Sequence, residues 1–306
     1  VATSLLQTGD WIEGKWAHHR YRVKKRLGSG ANGDVFLVHG AYAGTSNALK
    51  VCDRAGDIAF EWSLLEKLWK QANCFPQPIQ IDDDTQRAST YFYVMEFVEG
   101  QPLNEVFARC SERDIRELTK SILTGLSTLH NTQHAFCDIK PQNIMVQLDQ
   151  HFVRFVDVGG VTPFARSVRQ FTPYYDRAFW GLGSRQADAQ YDLCGLALVL
   201  VCLAEVPPTN LSSRSERDRR QWLYRAVARF PWPRYIPVLS KALAGQFATA
   251  EAFRLALEGA ILSDSRKARR GANKSRLDWT ERLMWFSLAS ATVVTVLAWA
   301  SFVGWV

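Results

Sequence analysis

The sequence predicts an α+β chain: a sheet-rich first part, a larger helical second part with a cleft between them, and a C-terminal helix able to span a membrane. Three observations predict it. Aromatic and β-branched stretches crowd the first hundred residues. Amphipathic stretches with apolar residues at three- and four-residue spacing dominate residues 100 to 262. The last stretch, 284–306, carries no charged residue.

In chain order, residues 1–20, with "GDWIEGKW", read as a lead-in. "YRVKKRLGSGANGDVFLVHG" alternates like paired strands around a glycine turn, and "NALKVC" is a short apolar strand. Residues 57–71 place Ile58, Trp62, Leu65 and Leu68 on one helical face. "YFYVMEFV", 91–98, reads as a buried strand. After Gly100-Gln101-Pro102 the character turns helical, with a long amphipathic helix in "ERDIRELTKSILTGLSTLH". Two short strands, "NIMVQ" and "VRFVDV", flank the turn "LDQH". Helices follow in "YDLCGLALVLVCLAEV" and "AEAFRLALEGAIL". The divisions are a lead-in, 1–20; a sheet-rich lobe, 21–99; a helical lobe, 100–262; a basic linker, 263–283; and a membrane span, 284–306.

The apolar fraction of 47% excludes wholesale disorder. Six scattered cysteines, with no C-x-x-C pair, point to reduced thiols and no structural zinc. A net charge of +7 raises nucleic acid or anionic lipid as partners, and its distribution favours lipid. Residues 263–283 hold Arg266, Lys267, Arg269, Arg270, Lys274, Arg276 and Arg282 against Asp264, Asp278 and Glu281. As a helix the following span reaches roughly 34 Å, enough for a hydrocarbon core of about 30 Å. Trp285, Trp299 and Trp305 lie near its ends, where indoles favour the interface. The basic flank marks the cytoplasmic side, and no apolar signal-peptide core precedes it, so residues 1–262 are expected in the cytoplasm, with anionic lipid as a partner and no nucleic acid. Because the span closes the sequence, no external sensor is expected from this chain; it is tail-anchored or a fragment.

Four separated motifs carry chemistry. "GSGANGDVF" places Gly28, Gly30 and Gly33 between two strands, where the backbone can approach phosphates without side-chain obstruction. Alone it reads equally as a plain hairpin. Lys50 in "NALKV" and Glu61 in the next helix offer an ammonium held by a countercharge toward α/β-phosphates. Asp138, Lys140 and Asn143 form D-x-K-x-x-N: a carboxylate to accept or steer a hydroxyl proton, a cation near the γ-phosphate, and an amide oxygen for magnesium. Asp157, fourteen residues on, can hold Mg²⁺ with Asn143. Together, in this order, they point to phosphoryl transfer from ATP with Mg²⁺.

On these motifs residues 21–262 resemble the eukaryotic-like Ser/Thr protein kinases, membrane-tethered bacterial members in particular. The resemblance implies a two-lobed kinase fold and protein substrates bearing Ser or Thr. It implies that Met95 gates the back of an adenine pocket and that Glu96 to Val98 form the hinge. Val35, Ala48 and Met145 would sandwich the ring, and Asp192 would brace the catalytic loop. The chain departs from the family at Phe136, in place of the usual histidine, and at Cys137, in place of the arginine that pairs with a phosphorylated activation loop. Val158 follows the magnesium aspartate where Phe is usual, and the Ala-Pro-Glu end of the activation segment is missing after Thr172-Pro173. None of these changes removes a charge-handling group, so an active enzyme is expected. The alternatives are a silent nucleotide-binding scaffold and a small-molecule kinase. Without a cation at Cys137, activity is expected not to need phosphate on Thr162 or Ser167. Thr172 is expected beside Asp138.

Overall fold

A computed structural model describes residues 6–30, 33–40 and 46–302; the side chains of 261–278, 280 and 300–302 lie outside the described set. Val1 to Leu5 of the lead-in, Ala31 and Asn32 of the glycine run, and Trp305 of the span therefore fall outside it, as do the side chains of the basic linker up to Asp278.

The first unit, through Leu257, begins with a six-stranded antiparallel sheet. Its strands are β1 (Trp11–Glu13), β2 (Arg20–Gly30), β3 (Gly33–His39), β4 (Ser46–Cys52), β5 (Pro78–Asp83) and β6 (Tyr91–Glu96), in the order β1-β2-β3-β4-β6-β5. Alternation works as the sequence implied: Tyr21, Val23, Phe36, Val38, Leu49, Val51, Phe92 and Val94 share one buried cluster. Leu6 and Ile12 join that cluster, so the lead-in adds both a strand and core to the sheet. Helix α1 (Ala55–Leu68) buries Ile58, Leu64, Leu65 and Leu68 and packs on β4, β5 and β6. Of its predicted apolar row, Trp62 is only half-buried, its ring 6.4 Å from that of Tyr93.

The helical part follows β7 (Gln101–Pro102) and the single turn α2 (Leu103–Val106). Helix α3 (Glu112–Asn131) starts at a capping box, in which Ser111 and Asp114 satisfy each other's backbone N–H groups. Strands β8 (His134–Ala135), β9 (Ile144–Gln147), β10 (Phe152–Phe155) and β11 (Thr162–Pro163) form two small sheets around the candidate site. The predicted strand 153–158 ends at Phe155, which leaves Asp157 in the loop beyond. Helix α4 (Ala189–Ala204) is buried on nearly every side, from Tyr191 to Cys202. Helices α5 (Glu216–Ala228) and α6 (Ile236–Leu243) pack against it, and α7 (Ala250–Phe302) begins with Phe253 and Leu257 buried.

The second unit, from Glu258, consists in its described part of the rest of α7. The backbone of the basic stretch is helical, in keeping with its Arg, Lys, Ala and Leu content. Residues Glu281–Trp299 have a mean hydropathy of 1.4 and none of them is buried; by length and composition this helix could cross a membrane.

Candidate active site

The glycine run is the turn of the β2–β3 hairpin, with Gly28 opposite Val35 and Gly30 opposite Gly33. Gly33 has φ +116°, and a Cβ there would stand 2.2 Å from the Val51 carbonyl oxygen, so the turn requires glycine. Positions 28 and 30 have open space where a side chain would project. Val35 faces Lys50 in the β3–β4 register, and Ala48 faces Met95 in the β4–β6 register.

Lys50 is 2% exposed, and its Nζ lies 2.7 Å from Glu61 Oε2 and 3.1 Å from Asp157 Oδ1. One ammonium thus joins the sheet, α1 and the loop after β10. Burial alone would pull the Lys50 proton off, but the charges of Asp157 and Glu61 outweigh it and hold the amine charged. Burial likewise works to raise Asp157, and Lys50 overturns it, so that carboxyl sits below its usual range. Glu61 is pushed up by burial despite Lys50. Tyr93, which no sequence motif marks, donates its hydroxyl to Glu61 Oε2 at 2.8 Å. Its only sequence signal was an aromatic position in the strand leading to the hinge.

The D-x-K-x-x-N loop is folded around Asp138, which is 3% exposed. Its Oδ2 accepts from Lys140 Nζ at 2.6 Å and from Asn143 Nδ2 at 3.2 Å, and Oδ1 accepts from the Thr172 hydroxyl at 3.1 Å. Asn143 Nδ2 also donates to the Asp138 carbonyl at 3.0 Å, which leaves its amide oxygen as the remaining ligand atom. Asp157 Oδ1 accepts from Gly159 N at 2.9 Å. A Cβ on Gly160 would lie 2.9 Å from that of Asp138, so the glycine doublet lets the two loops run close. The donor set of one carboxylate and one amide oxygen fits Mg²⁺, a hard cation that keeps waters and takes substrate phosphates as ligands. No cluster of three or more His, Cys, Asp or Glu suited to a metal occurs among the described residues.

Met95 and Val98 are buried, and Met145 on β9 is half-buried. The Glu96 side chain turns away into a two-pronged pair with Arg154, at 2.9 and 2.6 Å, and Arg154 also donates to the Phe75 carbonyl. That guanidinium, aided by the Gln77 backbone N–H, holds the Glu96 carboxyl below its usual range. The Glu96 side chain thus ties this end of β6 to β10. This pair spans 58 residues and had no sequence signal.

Phe136 is fully buried, its ring 5.0 Å from that of Phe155, which stacks on Phe75 at 5.5 Å. Val158 is buried as well. Asp192, in the first turn of α4, accepts from Phe136 N at 2.7 Å and Cys137 N at 2.8 Å, and His130 Nε2 donates to it at 2.8 Å. Cys137 takes a left-handed backbone, φ +65°, and sits 3% exposed in an apolar cluster with Ala135, Val168, Ala187 and Tyr191. Burial pushes its thiol far up, and Asp192 pushes it further.

After Thr172 the missing Ala-Pro-Glu is replaced by a different brace. Asp176, fully buried, accepts from Arg185 Nε at 2.7 Å, the Tyr191 hydroxyl at 3.0 Å and Ala178 N at 3.0 Å. Arg177 forks onto Asp188 at 3.0 and 2.9 Å and donates to the Ser184 and Gln186 carbonyls. Asp188 in turn caps α4 through Tyr191 N. Trp180, fully buried, stacks on Trp222 and donates to the Tyr174 carbonyl.

Known proteins are similar to this chain in sequence and in fold. The family described as the protein kinase domain matches residues 21–265. Serine/threonine-protein kinase YabT of Bacillus subtilis is 34% identical over 204 residues, covering 64% of this chain and 59% of that protein. Serine/threonine-protein kinase D of Synechocystis is 28% identical over 155 residues, covering 46% of this chain and 30% of that one. The chain thus matches three fifths or less of the length of these two relatives. The solved structure of vaccinia related kinase 3 superposes with a TM-score of 0.63 at 15% identity, covering 87% of this chain and 93% of the other, a likeness of fold. With a family match over most of its length and bacterial Ser/Thr kinases among its relatives, the chain belongs to the protein kinase family, in its eukaryotic-like bacterial form.

Proposed function

We propose that this chain phosphorylates Ser or Thr hydroxyls of protein substrates, using ATP with Mg²⁺, from a cytoplasmic domain tethered by its C-terminal helix. The observation that carries the reading is Lys50 paired at once with Glu61 and Asp157. That arrangement brings the nucleotide-holding groups of three elements together, and Asp138, held by Lys140 and Thr172, adds a group that favours transfer over a silent nucleotide-binding scaffold.

In this reading the glycine hairpin covers the phosphates and Lys50 contacts the α- and β-phosphates, with Glu61 fixing its direction. Glu96 and Val98 offer backbone hydrogen bonds to the adenine, with Met95 behind the ring and Val35, Ala48 and Met145 on its faces. Asp157 and the Asn143 oxygen hold magnesium, which when bound neutralises charge on the β- and γ-phosphates. Asp138 orients the acceptor hydroxyl and takes its proton. Thr172 and Lys140, both on the Asp138 carboxylate, keep it aimed. Lys140 also sits where the γ-phosphate's charge needs a cation. Support for a protein substrate, over a small molecule, comes from the relatives' printed names and from Lys140 in the loop.

The membrane reading rests on the exposed apolar face of Glu281–Trp299 and on the cations before it in the sequence, which favour anionic lipid at about 1 kcal/mol each near the surface. The test of the activity is transfer of radiolabel from ATP to a generic protein, followed by phosphoamino acid analysis. Label on Ser or Thr, abolished by chelating Mg²⁺, is expected. Label confined to a small-molecule acceptor, or none at all, contradicts the reading.

A further inference from the structure

Between α1 and the segment after Asp157 lies a cavity of about 870 Å³ that the proposed nucleotide contacts leave unused. Three arginines line it: Arg54 at the head of α1, and Arg166 and Arg169 on the segment. Its acids are already engaged. Asp57 pairs with Arg54 at 2.7 Å, and Glu61 is held by Lys50. Arg166 and Arg169 are exposed, and among the described residues neither guanidinium has an ion-pair partner. Phe60 and Pro163 give the cavity an apolar wall. Gln170 also lines the cavity, and its side-chain amide reaches Asp138 Oδ2 at 3.4 Å. One lining residue therefore links the wall that carries these guanidinium groups to the carboxylate proposed to face the acceptor hydroxyl.

The segment carrying these arginines is positioned without any phosphate. Ala165 N and Val168 N donate to the Ala187 and Arg185 carbonyls, and Ala187 N donates to Arg166 O. Val168 packs with Cys137 in the apolar cluster. So Arg166 and Arg169 do not serve to fold their own segment, and the anion they suit comes from outside it.

Resting on the protein-kinase reading above, we infer that this cavity is a substrate subsite for an acidic peptide, taking a carboxylate or phosphate side chain that flanks the acceptor Ser or Thr. Guanidinium groups bind both anions through paired N–H donors, and at exposed positions each pair contributes modestly. The two pairs together are expected to give about a fivefold preference.

The experiment uses the solubilised 306-residue chain and three peptides, alike except for Glu, Gln or Lys on either side of one Ser. The expected kcat/KM is about fivefold higher for the Glu peptide than for the Gln peptide. Replacing both cations, Arg166→Glu with Arg169→Glu, is expected to erase that ratio or turn it toward the Lys peptide. A ratio unchanged by the double reversal overturns the inference. A second arm measures anisotropy of labelled peptides on the Asp138→Asn chain, where binding is read without transfer. Tighter binding of the Glu peptide there supports the subsite even if no chain transfers phosphate, in which case the activity reading alone fails. A third arm repeats the comparison with Ser167→Ala. A Glu preference that appears only in that chain would mean that the cavity serves a phosphate on Ser167, which competes for the same arginines, and would overturn the inference.

Discussion

Cys137 stands where a kinase of this type usually places a cation, and the structure gives the position a different job. The thiol closes an apolar cluster over the segment that carries Val168, and its backbone N–H is fixed by Asp192. Burial raises its pKa, so the thiol stays protonated through neutral pH, and the thiolate is the reactive form. Iodoacetamide at pH 8 should therefore leave Cys137 unlabelled in the folded chain and label it only after denaturation, read by peptide mass spectrometry. Labelling of the folded chain at the rate of a free cysteine would revive an oxidation-sensing role. Cys137→Arg should lower thermal stability and activity together, because it puts a cation into an apolar cluster, where an unpaired charge costs several kcal/mol.

Glu61 gives the pH dependence at the same scale. Its carboxyl is raised by burial, so on acidification it takes a proton at a higher pH than the ordinary glutamate value of about 4.3. Protonation ends its ion pair with Lys50. The KM for ATP should therefore climb on the acid side before exposed glutamates titrate, and Glu61→Gln should flatten that limb while raising KM throughout. The polar residues of the candidate site were the most legible part of the sequence, because Lys50, Asp138, Asn143 and Asp157 stand in the order that the kinase resemblance implies. Tyr93 and Arg154 were not legible. Each acts through a partner more than thirty residues away, and neither residue type is diagnostic by itself.

Among the elements, the activation segment differs most from what its motif led one to expect. The sequence showed only that Ala-Pro-Glu was absent. The replacement is a set of contacts among Asp176, Arg177, Arg185, Asp188 and Tyr191, whose pattern has meaning only once the loop folds back on the head of α4. Asp176→Ala removes the acceptor of three groups and should destabilise by about 1–3 kcal/mol, lowering Tm by about 2–4 °C per kcal/mol. An unchanged Tm would show that the brace is dispensable. The apolar clamp and the pairing with 185–187 also account for a segment ordered without phosphate. Phosphatase-treated enzyme should stay active, and Ser167→Ala should keep turnover within a few-fold. Thr162 is buried and donates to the Gly160 carbonyl, so its hydroxyl is closed to a modifying enzyme. Silencing by phosphatase, reversed only by rephosphorylation of Ser167, would contradict this. Strand β1 was another element the sequence hid: three residues in a lead-in give too short an alternation to read, yet they put Ile12 into the core.

For the whole molecule, the division into a sheet-rich first part and a helical second part was legible because hydrophobic period changes from two to near four at Gly100. The apolar helix was legible from composition alone. Protease added outside intact cells should leave residues 1–262 whole, and degradation of that region would reverse the proposed topology. The central claim is that Asp138 and its neighbours perform phosphoryl transfer. Its most direct test compares Asp138→Asn with the unaltered chain, measuring radiolabel transfer from ATP to protein Ser/Thr and, separately, Mg²⁺-ATP affinity. The account predicts that transfer falls by about 10²–10⁴-fold while affinity stays within a few-fold, since the change removes the proton acceptor and no phosphate contact. Near-normal transfer by Asp138→Asn would contradict it.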